Sequence, residues 1–125
     1  MITWVKDGDM FLDSVDTIVI PVNCVPGVMG AGLALQAAKK WPFLKDVHKR
    51  ACLNETLAVG ELELVSLRYY EDRRKLVLFP TKNNWRDKSD VDYIVIGMKS
   101  LLDMIKKHGF KSVSIPALGC GYGGL

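Results

Sequence analysis

Five short segments of the chain have the apolar pattern of a β-strand. The strongest is Thr17 to Val22, an almost unbroken β-branched segment that is typical of a strand covered on both faces in an α/β sheet. Four shorter runs predict further strands; they lie at Ile2 to Lys6, Glu61 to Leu67, Lys75 to Phe79 and Ser112 to Ile115. The charged stretch between the runs Glu61 to Leu67 and Lys75 to Phe79 favours a hairpin of these two strands.

Three segments carry helical spacing instead. The first runs on from Leu33 and stops near Pro42, and a more polar second helix covers residues 43–52. The third begins with Ser89 as the predicted N-cap, has acidic residues in its first turn and stops at Gly109. Five apolar positions of this third helix fall at helical spacing, at Ile94, Met98, Leu101, Leu102 and Ile105. The stripe of Ile94, Met98, Leu101 and Ile105 is its predicted core face.

The resulting order, β-β-α-α-β-β-α-β, predicts a three-layer α/β/α domain around a mixed sheet. The chain has 125 residues, of which 49% are hydrophobic and 25% charged, so we expect one domain over residues 1–125 and exclude wholesale disorder. No apolar run approaches the roughly 18 residues of a membrane span. Because Met1 to Lys6 lacks a signal-peptide pattern, we expect a cytoplasmic protein without a membrane partner.

Charge and cysteine content narrow the chemistry only a little. The net charge is +3, and the basic residues gather in two clusters, at 39–50 and 68–88; a solvated surface is the favoured interpretation of both. Three cysteines, Cys24, Cys52 and Cys120, are odd in number and far apart, without a C-x-x-C motif. Reduced thiols are expected, and neither a metal nor a cofactor is predicted.

Two glycine-rich loops each follow an apolar strand, at residues 22–33 and 116–125. Successive backbone N–H groups in such loops form anion sites, and ligands of open α/β sheets bind beyond the carboxyl ends of strands. Neither loop matches a Walker A or G-x-G-x-x-G pattern. The alternative for each loop alone is a tight strand-to-helix turn, but the pair favours a clamp around two phosphates.

Four ordered motifs resemble a known family: Gly8-Asp9-Met10-Phe11; Val22-Asn23 with Met29-Gly30-Ala31-Gly32-Leu33-Ala34; Phe79-Pro80-Thr81-Lys82 with Trp85-Arg86; and Ile115-Pro116-Ala117-Leu118-Gly119-Cys120-Gly121 with Gly123-Gly124-Leu125. The chain resembles a macrodomain. Within that superfamily it is most similar to DNA ADP-ribosyl glycohydrolases of the DarG antitoxin type and to terminal ADP-ribose protein glycohydrolases.

The resemblance implies an ADP-ribose site and a role for each matching residue. Asp9 and Met10 would meet the adenine, and Asn23 would lie near the distal ribose as a second catalytic residue beside Lys82. The remaining implied ADP-ribose contacts are Met29, Gly30, Ala31, Gly32, Leu33, Thr81, Leu118, Gly119, Cys120, Gly121, Tyr122 and Gly123. The terminal ADP-ribose branch has an aspartate where this chain has Gly123, whereas the DarG branch has glycine there. The resemblance also implies a further helix and strand that would follow Leu125.

Lys82 matches the catalytic lysine of these hydrolases. A neutral amine can attack the anomeric carbon or act as a base, and the sequence leaves both roles open. Trp85 and Arg86 are candidates for stacking on a nucleic-acid strand, with loop packing an equal alternative for the tryptophan. A thiol nucleophile at Cys24 or Cys120 is disfavoured, because neither glycine loop contains a histidine.

The sequence thus predicts an ADP-ribosyl glycohydrolase acting on modified nucleic acid, with thymidine in single-stranded DNA as the favoured acceptor. Its expected partners are ADP-ribose, ADP-ribosylated DNA and an ADP-ribosyltransferase toxin. The alternatives are a non-catalytic ADP-ribose-binding module, and a hydrolase of a small ADP-ribose derivative or of ADP-ribosylated protein.

Overall fold

A computed structural model describes residues 2–5, 15–68, 72–84, 90–116 and 118, with side chains described from residue 15 onward. The elements follow the predicted order. They are β1 (Ile2–Val5), β2 (Thr17–Val22), α1 (Gly32–Lys40), α2 (Leu44–Leu53), β3 (Glu63–Ser66), β4 (Lys75–Pro80), α3 (Val91–His108) and β5 (Val113–Pro116).

The five strands form one mixed sheet in the order β1-β5-β2-β4-β3. Three pairings are parallel, β1 with β5, β5 with β2, and β2 with β4, while β3 runs antiparallel to β4 as the predicted hairpin partner. Parallel strands all finish at the same edge of a sheet, so the segments that follow β1, β2, β4 and β5 leave from one edge. Open α/β sheets bind their ligands at this edge.

The central strands are apolar on both faces because each face of the sheet is covered by helices. On β2, Ile18 and Ile20 pack into a core with α1 and α2, whereas Val19 between them belongs to a second core beneath α3. Alternation of side chains along a strand produces this division. Trp41 is buried in the first core, as expected for a packing residue. The predicted three-layer α/β/α architecture with a mixed sheet is confirmed.

Helix α3 begins one residue later than predicted. Asp90, not Ser89, is its N-cap: Asp90 has extended backbone, and its carboxylate accepts a hydrogen bond of 2.8 Å from the N–H of Asp92. Both residue types cap well, so the sequence could not choose between adjacent positions. Gly109 ends the helix in the left-handed conformation, at φ 65°, as predicted.

The predicted core face of α3 is confirmed. Leu101 is fully buried, and Ile94, Met98 and Ile105 pack against the same core. Leu102, however, is 45% exposed, since it follows Leu101 by one residue and is turned about 100° around the helix.

A glycine allows α3 to lie close to β4. A β-carbon on Gly97 would come within 2.6 Å of Cε1 of Phe79, which is fully buried. Phe79 lies three residues before Lys82, so this close packing fixes the end of β4 against the helix. Among the described residues, no helix has the length and apolarity needed to cross a bilayer.

Candidate functional site

The loops that follow β2 and β4 are joined by hydrogen bonds at the edge of the sheet. The two strands pair in register, with Val22 opposite Pro80. Beyond that point the N–H of Thr81 donates to the carbonyl of Val22 at 2.9 Å, and the N–H of Cys24 donates to the carbonyl of Asn83 at 3.0 Å. These two bonds bracket Lys82, so its backbone is held against the first glycine loop.

Residues on both sides of Lys82 are also fixed by their side chains. Thr81 is 5% exposed, and the amide nitrogen of Asn83 donates to the hydroxyl of Tyr93 on α3 at 3.1 Å. Lys82 itself is half-buried. The sheet, the glycine loop and α3 therefore all position the segment that carries the predicted catalytic lysine.

Asn23 shapes the glycine loop from within. Its Nδ2 donates to the carbonyl of Val28 at 3.1 Å, and its Oδ1 accepts from the N–H of Val25 at 2.9 Å. The residue is 8% exposed, so the amide group is nearly enclosed by the loop that it organises. The structure thus gives Asn23 a positioning role, and direct contact with a ribose stays a prediction.

His48 is the main residue at this site that the sequence did not reveal. It lies on α2, is fully buried, and reaches the glycine loop with both ring nitrogens. The N–H of Gly27 donates to Nδ1 at 3.0 Å, and Nε2 lies 2.8 Å from the carbonyl of Asn23. Because Nδ1 accepts, the bond at Nε2 requires the neutral tautomer with its proton on Nε2. Burial lowers the pKa of His48 below its ordinary value, which keeps the ring neutral.

Nothing in the sequence pattern marked this histidine. Its partners are backbone groups 21 and 25 residues away, so no short-range spacing points to it. In the described part of the chain, no group of three or more His, Cys, Asp or Glu side chains could hold a metal ion.

The second half of the loop exposes its backbone where α1 begins. Gly30, Ala31 and Gly32 are exposed, and a β-carbon on Gly30 would meet no atom within 4 Å. Gly32 has φ 58°, which a residue with a side chain adopts only with strain. Ala31, the N-cap of α1, provides no side-chain hydrogen bond. The first N–H groups of this nine-residue helix therefore have no capping side chain from the N-cap residue, an arrangement that suits an anion.

Two predicted contacts of this site pack against the apolar cores. Met29 is 1% exposed and packs in the core with α1 and α2. Leu118 packs against the core beneath α3. Both anchor the segments that carry them, and their contact with ADP-ribose stays a prediction. Leu33 is half-buried in the first turn of α1.

The thiols near the loop are poorly suited to nucleophilic attack. Burial raises the pKa of Cys24, although a hydrogen bond from the backbone of Val59 partly offsets this. Burial, together with the neighbouring Cys24, raises the pKa of Cys52 to about 11. The Cys52 sulfur lies 3.6 Å from Nε2 of His48, but both nitrogens of that ring are already bonded to the loop. Neither thiol has a free base beside it among the described residues.

The other predicted site residues lie outside the described part of the chain. They are Asp9, Met10, Trp85, Arg86, Gly119, Cys120, Gly121, Tyr122 and Gly123. The described strands place the start of their segments: β1, β4 and β5 all end at the edge where Lys82 and the first glycine loop meet. The topology therefore agrees with a single site assembled from four segments.

Comparisons of the sequence with known proteins identify relatives of this chain. A family model described as Macro domain matches residues 19–125. A DNA ADP-ribosyl glycohydrolase of Mycobacterium tuberculosis is 35% identical over 125 residues, which cover 100% of this chain and 35% of that protein. A DNA ADP-ribosyl transferase-DNA ADP-ribosyl glycohydrolase fusion protein of Thermosipho africanus is 38% identical over 134 residues, covering 95% of this chain and 34% of that protein. The chain thus spans about a third of the length of these curated relatives.

Solved structures agree with the sequence matches. The macrodomain of Mycobacterium tuberculosis DarG superposes with a TM-score of 0.90 at 34% identity, covering 100% of this chain and 81% of that chain. Thermosipho africanus DarTG in complex with ADP-ribose gives a TM-score of 0.89 at 35% identity, covering 99% of this chain and 35% of that chain.

Proposed function

This chain belongs to the Macro domain family, and from that premise we propose that it is an ADP-ribosyl glycohydrolase domain acting on modified DNA. The relatives that match its whole length are named DNA ADP-ribosyl glycohydrolases, and one similar structure holds ADP-ribose. The favoured substrate is an ADP-ribose group on a thymidine base of single-stranded DNA. ADP-ribose is the expected product, and no further cofactor is proposed.

One observation of the structure carries the proposal: the two hydrogen bonds that bracket Lys82 against the first glycine loop. The bond between Thr81 and Val22 continues the parallel pairing of β4 with β2, and the bond from Cys24 to Asn83 joins the loops themselves. The backbone of Lys82 is therefore held against the loop whose exposed second half suits phosphate. A hydrolase of ADP-ribose linkages needs this combination, because the diphosphate and the reacting sugar are joined in one ligand.

The glycine loop would bind the diphosphate through backbone N–H groups. Gly30 and Ala31 present exposed backbone, and the uncapped start of α1 adds a partial positive charge. His48 and Asn23 hold the preceding part of the loop, residues 23–28, through hydrogen bonds to its backbone. We propose that Asp9, Met10 and the second glycine loop, residues 119–123, complete the ligand contacts.

Lys82 would act at the anomeric carbon of the distal ribose. In the base role, its neutral amine takes a proton from water; the water oxygen bonds to the anomeric carbon while the bond to the thymine nitrogen breaks. In the nucleophile role, the amine nitrogen itself bonds to that carbon, and water then displaces it. In both roles of Lys82, the thymine base keeps the electron pair of the broken bond and takes up one proton. The positive charge that develops on the sugar resembles an oxocarbenium ion.

The test is Lys82→Ala, measured with an ADP-ribosylated oligonucleotide and with calorimetry for free ADP-ribose. Release of ADP-ribose should fall about 100-fold or more, as for loss of a general base, while the affinity for ADP-ribose stays nearly unchanged. Lys106→Ala is the matched control, since Lys106 is exposed in the last turn of α3, about 20 Å along that helix from Tyr93. Its activity should equal that of the unaltered protein.

The same assays separate the alternatives. ADP-ribose binding without release from any modified oligonucleotide would identify a binding module and contradict the proposal. Faster turnover of a small ADP-ribose ester or of ADP-ribosylated protein would reassign the substrate. Borohydride reduction during turnover distinguishes the two roles of Lys82. Only an adduct between the amine and the sugar can open its sugar ring to an imine, which borohydride reduces to a stable bond to the protein.

We also propose a transferase partner. The Thermosipho africanus relative is a transferase-glycohydrolase fusion, and the similar structure from that organism is a DarTG protein. A domain that removes ADP-ribose from DNA requires a reaction that attaches it. Coexpression with a DNA ADP-ribosyltransferase should therefore lower the ADP-ribose content of cellular DNA, and the Lys82→Ala variant should not.

A further inference from the structure

The two helices that flank the glycine loop carry an excess of positive charge. Between Gly32 and Leu53 there are five basic residues and one acidic residue, a net charge of +4. The whole chain carries +3, so the remainder sums to −1. Residues 68–88 hold seven basic and three acidic residues and also sum to +4, so the segment of α1 and α2 is one of two positively charged segments of the chain.

Helix α2 divides this charge between two sides. Lys45 and Lys49 are one turn apart and fall next to His48, on the side that turns toward the glycine loop. Asp46 and Arg50 fall on the side away from His48, where Nε of Arg50 donates to the backbone carbonyl of Asp46 at 3.3 Å; Asp46 is also an i,i+3 neighbour of Lys49. The side near the loop thus carries two cations and no acidic residue.

The position of Lys49 is fixed by contact with the loop. A β-carbon placed on Gly27 would lie 3.6 Å from Cβ and 3.9 Å from Cδ of Lys49, so the aliphatic stem lies along the loop surface. Lys45 and Lys49 are both exposed, and neither forms an ion pair with an acidic residue that the structure describes. Packing of the stem lowers the entropy that such a side chain loses on binding.

We propose that Lys45 and Lys49 bind backbone phosphates of the single-stranded nucleic acid that carries the ADP-ribose group. This inference rests on the proposed function and assigns a surface to its polymeric substrate. The two lysines lie about 6 Å apart along the helix axis, close to the separation of neighbouring phosphates in an extended single strand. A strand held there passes beside residues 23–31, so a nucleotide of that strand can present its sugar to the edge where Lys82 lies.

The experiment measures binding of an unmodified oligothymidylate by fluorescence anisotropy at several salt concentrations. In Lys45→Gln/Lys49→Gln, the slope of log affinity against log salt should become smaller by about 1.4, because each lost phosphate contact on a single strand contributes about 0.7. Affinity at low salt should fall about tenfold or more. Lys106→Gln/Lys107→Gln is the matched control, with the same change of charge on exposed residues of α3, and it should retain the original slope.

Three results would contradict the proposal that Lys45 and Lys49 bind backbone phosphates. One is an equal slope for the unaltered protein and the Lys45/Lys49 variant. Another is a loss of affinity for free ADP-ribose as large as the loss for oligothymidylate, which would place the lysines in the ADP-ribose site instead. The last is equally tight, lysine-dependent binding of polyglutamate, which would make the surface a site for acidic protein segments. Lys45→Arg/Lys49→Arg should restore the original slope, which separates loss of charge from misfolding.

The outcome is independent of catalysis. Oligothymidylate binding requires no hydrolysis, so it tests phosphate binding by Lys45 and Lys49 even if Lys82→Ala leaves turnover unchanged. Conversely, a failed salt experiment leaves the Lys82 test of the glycohydrolase activity untouched.

Discussion

Acid should destabilise this protein through one buried histidine. Nδ1 of His48 accepts from the N–H of Gly27, and the fully buried ring has a pKa below its ordinary value, chiefly because of burial. Protonation would place a second proton between Nδ1 and the Gly27 N–H and break that bond. Between the native pKa and about 6.5, the unfolded chain binds the proton and the native protein does not, so stability falls as the pH falls.

The size of the effect follows from the linkage relation. Between pH 7.5 and 5.5, protonation of the unfolded chain alone lowers the free energy of unfolding by up to about 1.4 kcal/mol. For a domain of this size that corresponds to a decrease in melting temperature of about 5 °C. The loss levels off below the native pKa, where both states carry the proton.

The assay is urea unfolding followed by circular dichroism across this pH range, for three proteins. His48→Gln removes the titrating group and leaves the Gly27 N–H unpaired, so it should cost about 1–3 kcal/mol at pH 7.5 and lose most of the pH dependence. His108→Gln is the control, because the chain has two histidines and His108 is exposed in the last turn of α3. An identical pH dependence in His48→Gln and the unaltered protein would refute the reasoning.

Two further predictions concern packing and the thiols. Gly97→Ala should lower the free energy of unfolding by about 1–3 kcal/mol, because the new β-carbon would overlap the ring of Phe79. This overlap outweighs the better helix propensity of alanine, which favours the variant by about 1 kcal/mol. A variant that is more stable in denaturant unfolding would contradict the close contact. Because burial raises the pKa of Cys24 and of Cys52 (to about 11), both thiols should react with iodoacetamide at pH 7 far more slowly than free cysteine, and Cys24→Ser should keep most of the glycohydrolase activity. Rapid alkylation at Cys24 that abolishes activity would revive the thiol mechanism.

Local pattern was enough to predict most of the elements. The run from Thr17 to Val22 has the bounds that the structure shows, and Gly109 ends α3 as expected. Both depend on short-range physics: a β-branched run favours a buried strand, and glycine adopts the left-handed conformation without strain. Where neighbouring residues offered the same physics, as Ser89 and Asp90 do for the N-cap, the sequence left the boundary open by one position.

The candidate site was predictable in its parts but not in its assembly. The motifs identified Lys82, Asn23 and the glycine loop. They could not show that the side-chain amide of Asn23 hydrogen-bonds to the backbone of Val25 and Val28. They did not reveal His48, whose two hydrogen bonds support the whole loop. A side chain that serves backbone groups more than twenty residues away leaves no spacing signal in the chain.

By itself, then, the sequence determined the order of strands and helices, which positions are apolar, and which residues resemble those of an ADP-ribose site. The tertiary structure decided which of them meet. Lys82 reaches the glycine loop because β4 pairs with β2 rather than only with its neighbour β3, so that Pro80 lies opposite Val22 across 58 residues of chain. Strand order and register depend on how both faces of the whole sheet are covered at once, and no local pattern encodes that balance.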